Sequence, residues 1–243
     1  MRAISGFAVR CSIILAAMSL PASAEKIIVA TGEYPPFVGQ KERSYGVTAA
    51  IVKAAFARQG VDVDFEFLPW KRGYIETERA VYVATFPYVK NPEREAEFFY
   101  SEPFYIDKIR LFARKESAKM TDWNGKSICV PIGYDVSYLH ALTTRYKLAL
   151  ERPPEMKFCY MMLNTLRVDA IWSSEQVGFR LLKELFGDAD SIRPLDSEVS
   201  KDVDYYLIVS RKHPEAHVWL QKFNRGLQQM RKDGSYRKLL AEF

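Results

Sequence analysis

The chain has 243 residues, 48% of them hydrophobic, enough for one large or two small domains with their own cores. Its 35 lysines and arginines stand against 30 acids, for a formal net charge of +5. The cations are scattered among the acids rather than gathered in a stripe, which argues against a nucleic-acid partner.

Met1 to Ala24 places Arg2 and Arg10 around the start of the apolar run CSIILAAMSL and ends in Pro21-Ala22-Ser23-Ala24, a small-residue cleavage pattern. This reads as a cleaved secretory signal peptide, with a retained N-terminal anchor as the other reading. The run is short for a bilayer, and no later segment approaches ~18 uninterrupted apolar residues, so a soluble exported chain is expected. Cys11 lies inside the run, not at a cleavage junction, which disfavours a lipid anchor. Cys129 and Cys159 remain after cleavage, and an even pair in an exported protein suggests a disulfide, with two buried free thiols as the alternative.

The mature chain alternates strand and helix patterns. KIIVATG (26–32) is a buried strand, and GVTAAIVKAAFARQG is a helix closed by Gly60. VDVDFEF alternates apolar residues with acids, as a sheet edge does. Trp70 to Arg79 reads as a helix and Val81 to Phe86 as a strand. The unit then repeats: GKSICVPIG as strand, Val136–Tyr146 as helix, EMKF as a short strand and MMLNTLR as helix. VDAIW follows as strand, SEQVGFRLLKELFG as helix and DYYLIVS as strand. The last segment is helical, with Pro214 at a helix start and Gly234 as a break. The pattern is α/β, with mainly parallel sheets flanked by helices in two lobes.

The motif content disfavours common enzyme classes. There is no G-x-S-x-G elbow, no P-loop and no G-x-G-x-x-G. His213 and His217 are four apart but lack an acidic or cysteine partner, so no metal and no cofactor is expected. Binding chemistry is better supplied. GEYPPF puts Tyr34 and Phe37 after the first strand, LPW puts Trp70 after the second, and TFPY puts Phe86 and Tyr88 at the third. Open α/β sheets bind ligands at such strand ends.

TGEYPPF, LPW, NPEREAEFFYSEPF and KDGSYRKLLAEF together resemble the bacterial extracellular solute-binding proteins of family 3, periplasmic receptors of polar amino acid ABC importers. The resemblance covers nearly all of the mature chain. It implies a two-lobed type II periplasmic-binding-protein fold, with lobe 1 at 25–112 and 211–243 and lobe 2 at 113–210. RLFARK and LIVSRK would be the hinge strands. It implies a periplasmic monomer that closes on a small ligand and passes it to an ABC importer permease.

The resemblance assigns Arg94, in the turn Asn91-Pro92-Glu93-Arg94, to the ligand's carboxylate, for which a guanidinium offers a bidentate fork. The bulky Phe86-Pro87-Tyr88 stands where the family has glycine and small hydroxyl residues. In lobe 2, Gly133 and Tyr134 match a ligand-facing turn. Ser174 stands where the family's ammonium-binding aspartate does, five residues beyond Asp169-Ala170. A neutral hydroxyl compensates a buried ammonium less well than a carboxylate; Glu175, one step on, supplies the charge if the loop is shifted. With Cys129 on the first lobe 2 strand and Cys159 at the end of the next, the pair is expected to bridge. Two further readings are a periplasmic dehydratase or lyase using Glu175 as its acid, and a ligand sensor for a separate signalling partner.

Overall fold

The computed structural model describes residues 25–117, 122–132, 134, 136–187, 191–195 and 200–243. The proposed signal peptide and Gly133 lie outside them.

The first half opens with β1 (Glu25–Thr31), which buries Ile27, Val29 and Ala30. Next comes α1 (Val47–Ala57), burying Ile51, Val52, Ala55 and Phe56. In β2 (Val61–Phe67), buried Val61 and Val63 alternate with exposed Asp62 and Asp64, because this strand is the sheet edge. After it come α2 (Trp70–Glu78), β3 (Ala84–Tyr88), α3 (Pro92–Glu97) and β4 (Phe98–Tyr100). β1 pairs in parallel with both β2 and β3, as helical crossovers require.

The chain then crosses on β5 (Tyr105–Arg114). The second half comprises β6 (Ser127–Cys129), α4 (His140–Tyr146), β7 (Ala149–Glu151) and α5 (Met156–Asn164). It continues through β8 (Ala170–Ser174), α6 (Glu175–Phe186) and β9 (Ile192–Leu195). β6 is parallel to β7 and β8, whereas β5 runs antiparallel to β8 and β9.

The return strand is β10 (Lys201–Ser210). Lys201–Tyr205 pair with β5, while Tyr206–Ser210 pair with β3 and β4. Two α/β halves are therefore joined by two antiparallel crossing strands, with the change of partners at Tyr205 and Tyr206. Finally, α7 (Ala216–Asp233) and α8 (Ser235–Leu240) pack back on the first half. At Gly226 a Cβ would stand 1.9 Å from the Ala55 carbonyl oxygen, so α1 and α7 meet here only through glycine.

The expected alternation, the edge strand β2 and the break at Gly234 are all present. One element is corrected: EMKF is not a strand but the start of α5. Met156, Cys159, Tyr160 and Leu163 are its buried residues, at helical spacing. The strand before it is Ala149–Glu151, stopped by Pro153 and Pro154. The Cys129–Cys159 disulfide is present with Cα atoms 5.5 Å apart, but it ties β6 to a helix rather than strand to strand. The third strand starts at Ala84, three residues later than expected. Among the described residues, no helix is long and apolar enough to cross a membrane.

Candidate functional site

The carboxyl ends of the first-half strands carry a cluster of aromatic side chains, partly exposed at Tyr34 and Trp70 and buried at Phe37 and Tyr88. After β1 the chain turns tightly, Tyr34 N donating to Val38 O at 2.8 Å and Phe37 N to Tyr34 O at 3.0 Å. That turn brings the Tyr34 and Phe37 rings within 5.1 Å. Trp70, at the start of α2, lies over Gly32, where a Cβ would meet the indole at 2.6 Å. Its Nε1 donates to Glu33 O at 3.2 Å, and its ring meets Tyr88 edge-on at 5.8 Å. Phe86 takes a different place: it is fully buried between Phe65 and Phe104, in the core.

Arg94 sits beside this cluster with a defined posture. Asn91 caps α3, its side-chain oxygen accepting from Arg94 N at 2.8 Å, and Pro92 occupies the first turn. The guanidinium donates from Nη1 to Val89 O at 3.0 Å and stands 5.1 Å from the Tyr88 ring centre. Burial pushes the Tyr88 hydroxyl up to about 12 despite the opposing pull of Arg94. Around it, Tyr74 donates to Glu97, and Lys90 lies over Tyr206 and Tyr100. Among the described residues no carboxylate pairs with Arg94, so its remaining donors are available to an anion.

A second cluster lies where the crossing strands meet both halves, around Asp107. This carboxylate is only 1% exposed. Oδ2 accepts from Tyr205 Oη at 2.7 Å, and Oδ1 accepts from Ser174 Oγ at 2.8 Å. Tyr205 Oη in turn lies 3.3 Å from Tyr34 Oη, and Tyr134 meets the Tyr34 ring edge-on at 6.0 Å. The network therefore runs from Tyr34 in the first half, through β10 and β5, to Ser174 in the second. Burial raises the Asp107 carboxyl to about 6 against the hydrogen bonds from Tyr205, Ser174 and Lys108 N, and nearby Glu175 adds to the rise. Burial, with the charge of Asp107 nearby, also lifts Tyr34, Tyr134 and Tyr205 well above the usual phenol range. Among the described residues no cation pairs with Asp107.

The second-half residues have distinct environments. Ser174 is buried and both caps α6, accepting from Val177 N at 3.5 Å, and donates to Asp107. Glu175 faces Arg110 at 3.8 Å, and Arg110 also reaches Asp202 at 3.4 Å. Arg152 Nη2 donates to the carbonyls of Pro131 and Tyr134 at 3.1 and 3.2 Å, holding the turn that carries Tyr134. Asp169 bonds Ser127 N and Oγ at 2.9 and 3.0 Å, a structural tie between β6 and β8. Two contacts tie α6 to the rest of the chain: Arg180 pairs with Glu42 of the first half at 2.8 Å, and Gln176 Nε2 donates to Tyr105 Oη of the crossing strand β5 at 2.8 Å.

Of the residues expected at the site, Tyr34, Tyr134 and Ser174 thus converge through Tyr205 and Asp107, while Trp70 and Arg94 form the neighbouring group; Phe37 and Tyr88 are buried behind Tyr34 and Trp70, as parts of the packed core rather than of an open wall. Phe86 faces the core and Glu175 faces Arg110. Asp107 and Tyr205 were missed, although a signal existed. Along Tyr105-Ile106-Asp107-Lys108-Ile109 the inward phase of the strand is Tyr105, Asp107 and Ile109, leaving Ile106 59% exposed. An acid in the apolar phase, with an isoleucine in the polar one, marks a charge deliberately placed inside.

A surface hollow of about 380 Å³ lies on α2, lined by Pro69, Lys71, Arg72, Ile75, Glu76 and Arg79. It shares no residue with either cluster and lacks their convergent chemistry. Among the described residues no group of three or more His, Cys, Asp or Glu side chains could hold a metal. His217 packs on Phe99 at 4.3 Å instead.

The family model for bacterial extracellular solute-binding proteins, family 3, matches residues 27–243. No curated protein matches the sequence. Among solved structures, an ancestral arginine-binding protein bound to arginine aligns with TM-score 0.74 at 17% identity, over 90% of this chain and 98% of that one. The GluR0 ligand-binding core from Nostoc punctiforme, in complex with L-glutamate, gives 0.71 at 17% identity, over 89% and 98%. A histidine kinase sensor domain with similarity to periplasmic binding proteins gives 0.74 at 19% identity, over 90% and 96%. At such identities these likenesses establish the type II periplasmic-binding-protein fold and nothing finer.

Proposed function

This chain belongs to the bacterial extracellular solute-binding proteins, family 3, and from that membership we propose that it captures a small polar, carboxylate-bearing solute in the periplasm for an ABC importer. The observation that carries the reading is Arg94, a guanidinium without an anionic partner among the described residues, posed beside the Tyr88 ring at a strand-end turn. A bound carboxylate would take the remaining fork of donors. Trp70, which is only partly buried, gives the apolar part of the solute flat surface to lie on, with Tyr88 buried behind it.

In this reading the chain is exported by cleavage after Ala24 and works as a monomer. It closes as two lobes, 25–112 with 211–243 against 113–210. The pivot is the pair of crossing strands, and closure is favoured by contacts to solute available only when the lobes meet. The Arg180–Glu42 pair, which joins α6 to the loop before α1, adds a contact between the two halves themselves. Calorimetric titration with amino acids, amines and organic acids is the test. Saturable binding of a carboxylate-bearing solute, lost in Arg94→Ala, is expected; no binding of any small solute would sink the reading.

The likeness to a histidine kinase sensor domain supports a second reading, a sensing module for a separate partner. Deleting the gene for this chain distinguishes the two: abolished solute uptake favours transport, and intact uptake with a lost transcriptional response favours sensing. An enzyme reading requires an acid free to act, whereas Glu175 is held by Arg110. Turnover of a bound solute, lost in Glu175→Gln, is the result that would reinstate it.

A further inference from the structure

We propose that Asp107 is the cation-recognising group of the cleft, receiving an ammonium or similar organic cation on the solute against the rings of Tyr34, Tyr134 and Tyr205. The inference deepens the solute-capture reading and rests on it.

Three observations converge. First, Asp107 is a carboxylate buried without a cation among the described residues, an arrangement that costs stability unless something else compensates it. Its two hydroxyl donors could serve a neutral asparagine carbonyl as one acceptor, so hydrogen bonding alone does not call for the charge. Second, the group sits where both crossing strands and both halves meet. Tyr205 comes from β10, Tyr34 from the first half, and Ser174 and Tyr134 from the second. Third, the groups around it are tyrosine rings and hydroxyls with no cation among them, so the one formal charge that the cluster offers a solute is negative. Burial holds the three tyrosines neutral at physiological pH.

The same geometry explains the serine at position 174. Its hydroxyl does not replace a carboxylate; it orients one that β5 supplies, at 2.8 Å. Tyr34 is the movable wall. Its hydroxyl reaches Tyr205 by a long 3.3 Å contact, and its ring touches Tyr134 of the other half. Separating the halves withdraws Tyr34 from Tyr134 and opens Tyr205 and Asp107 to an entering cation.

The test is calorimetry of the whole protein at pH 7.5 with arginine, lysine, agmatine and cadaverine as cations and glutarate as an acid without positive charge. At least one cation should bind, and Asp107→Asn should weaken it about 100-fold, the usual consequence of removing one partner of a buried charge pair. Thermal unfolding of the variant checks that it folds. Unchanged cation affinity in a folded Asp107→Asn overturns the proposal. Binding of glutarate alone also overturns it while leaving solute capture intact, and no binding of these or any wider panel of solutes overturns both.

A wild-type pH profile gives an independent readout. The groups facing Asp107 are Tyr34, Tyr105, Tyr134 and Tyr205, which stay neutral, Ser174, and Glu175 with its partner Arg110. Cation affinity should fall about tenfold per pH unit below about 6, as Asp107 takes up a proton. A flat profile from pH 7.5 to 5 contradicts the assignment.

Discussion

Among the described residues, Arg94 and Asp107 are two charges without protein counter-ions, built in opposite ways. Arg94 stands at a strand-end turn, held by a helix cap, one carbonyl and a tyrosine face, with most of its donors left over. Asp107 is sealed inside the junction of the halves, each oxygen already taken by a hydroxyl. The first charge is cheap to keep, because a half-exposed guanidinium is still hydrated. The second is costly, because burial has removed its water. A charge retained at such cost, at the pivot of two crossing strands, is best explained by a task that needs the charge itself. The comparison also separates the two roles proposed above: Arg94 as the anion site on one half, and Asp107 as the group that ties the solute to both.

The largest expected effect bears on the Arg94 side. Arg94→Ala should weaken a carboxylate-bearing solute by ~2–5 kcal/mol in calorimetry, while a solute lacking a carboxylate is unaffected. Unchanged affinity would return Arg94 to the surface charges and remove half of the comparison.

Next comes the scaffold of the Asp107 side. The Cys129–Cys159 bridge closes a separation of 30 residues in the second half, so replacing both cysteines with serine should cost ~3–4 kcal/mol by denaturant unfolding. A negligible loss would show that α5 holds β6 without it.

The third effect separates the two charges by pH. Asp107 is raised in the folded state to about 6, from the 3.8 expected of the unfolded chain. The native protein therefore binds more protons than the unfolded one between those values, and its contribution falls as pH rises through the window. At pH 7.5 ionised Asp107 should cost up to ~3 kcal/mol, so Asp107→Asn should be more stable than wild type there and converge with it near pH 4. A variant destabilised equally at both pH values would show that Asp107 is a structural hydrogen-bonding group. Stability and cation affinity thus move in opposite directions as pH falls towards 5.

The smallest effect concerns closure. Glu42→Gln removes the Arg180 pair, which is partly exposed, so the loss should be ~0.5–1 kcal/mol and appear as a two- to fivefold weaker affinity. Tighter binding would mean that the pair resists solute entry rather than favouring closure.

Much of this was legible in the sequence. The alternating acids of β2, the glycine stops and the long final helix are local signals, and they survive folding because each element's burial follows its own periodicity. EMKF was misread because its four residues are too few to show a period; the helical spacing from Met156 to Leu163 needs the residues beyond. The strand-end aromatics were visible as residue types, but their fates were not. Phe86 and Tyr88 share one strand, yet Phe86 packs into the core against Phe65 while Tyr88 carries Arg94. Which face a residue takes depends on the neighbouring strands, and that information lies far along the chain. Asp107 was overlooked for a related reason: its partners Tyr205 and Ser174 are 98 and 67 residues away. Only the inverted polarity of Ile106 and Asp107 betrayed it locally.

The central claim, that two opposite charges divide recognition of one solute, is tested most directly by one calorimetric matrix. Wild type, Arg94→Ala and Asp107→Asn are each titrated with the tightest-binding amino acid, its decarboxylated amine and its deaminated acid. The account predicts that Arg94→Ala binds the amino acid no better than the amine, and Asp107→Asn binds it no better than the acid. If both variants weaken all three solutes alike, or neither weakens any, the division of roles is wrong.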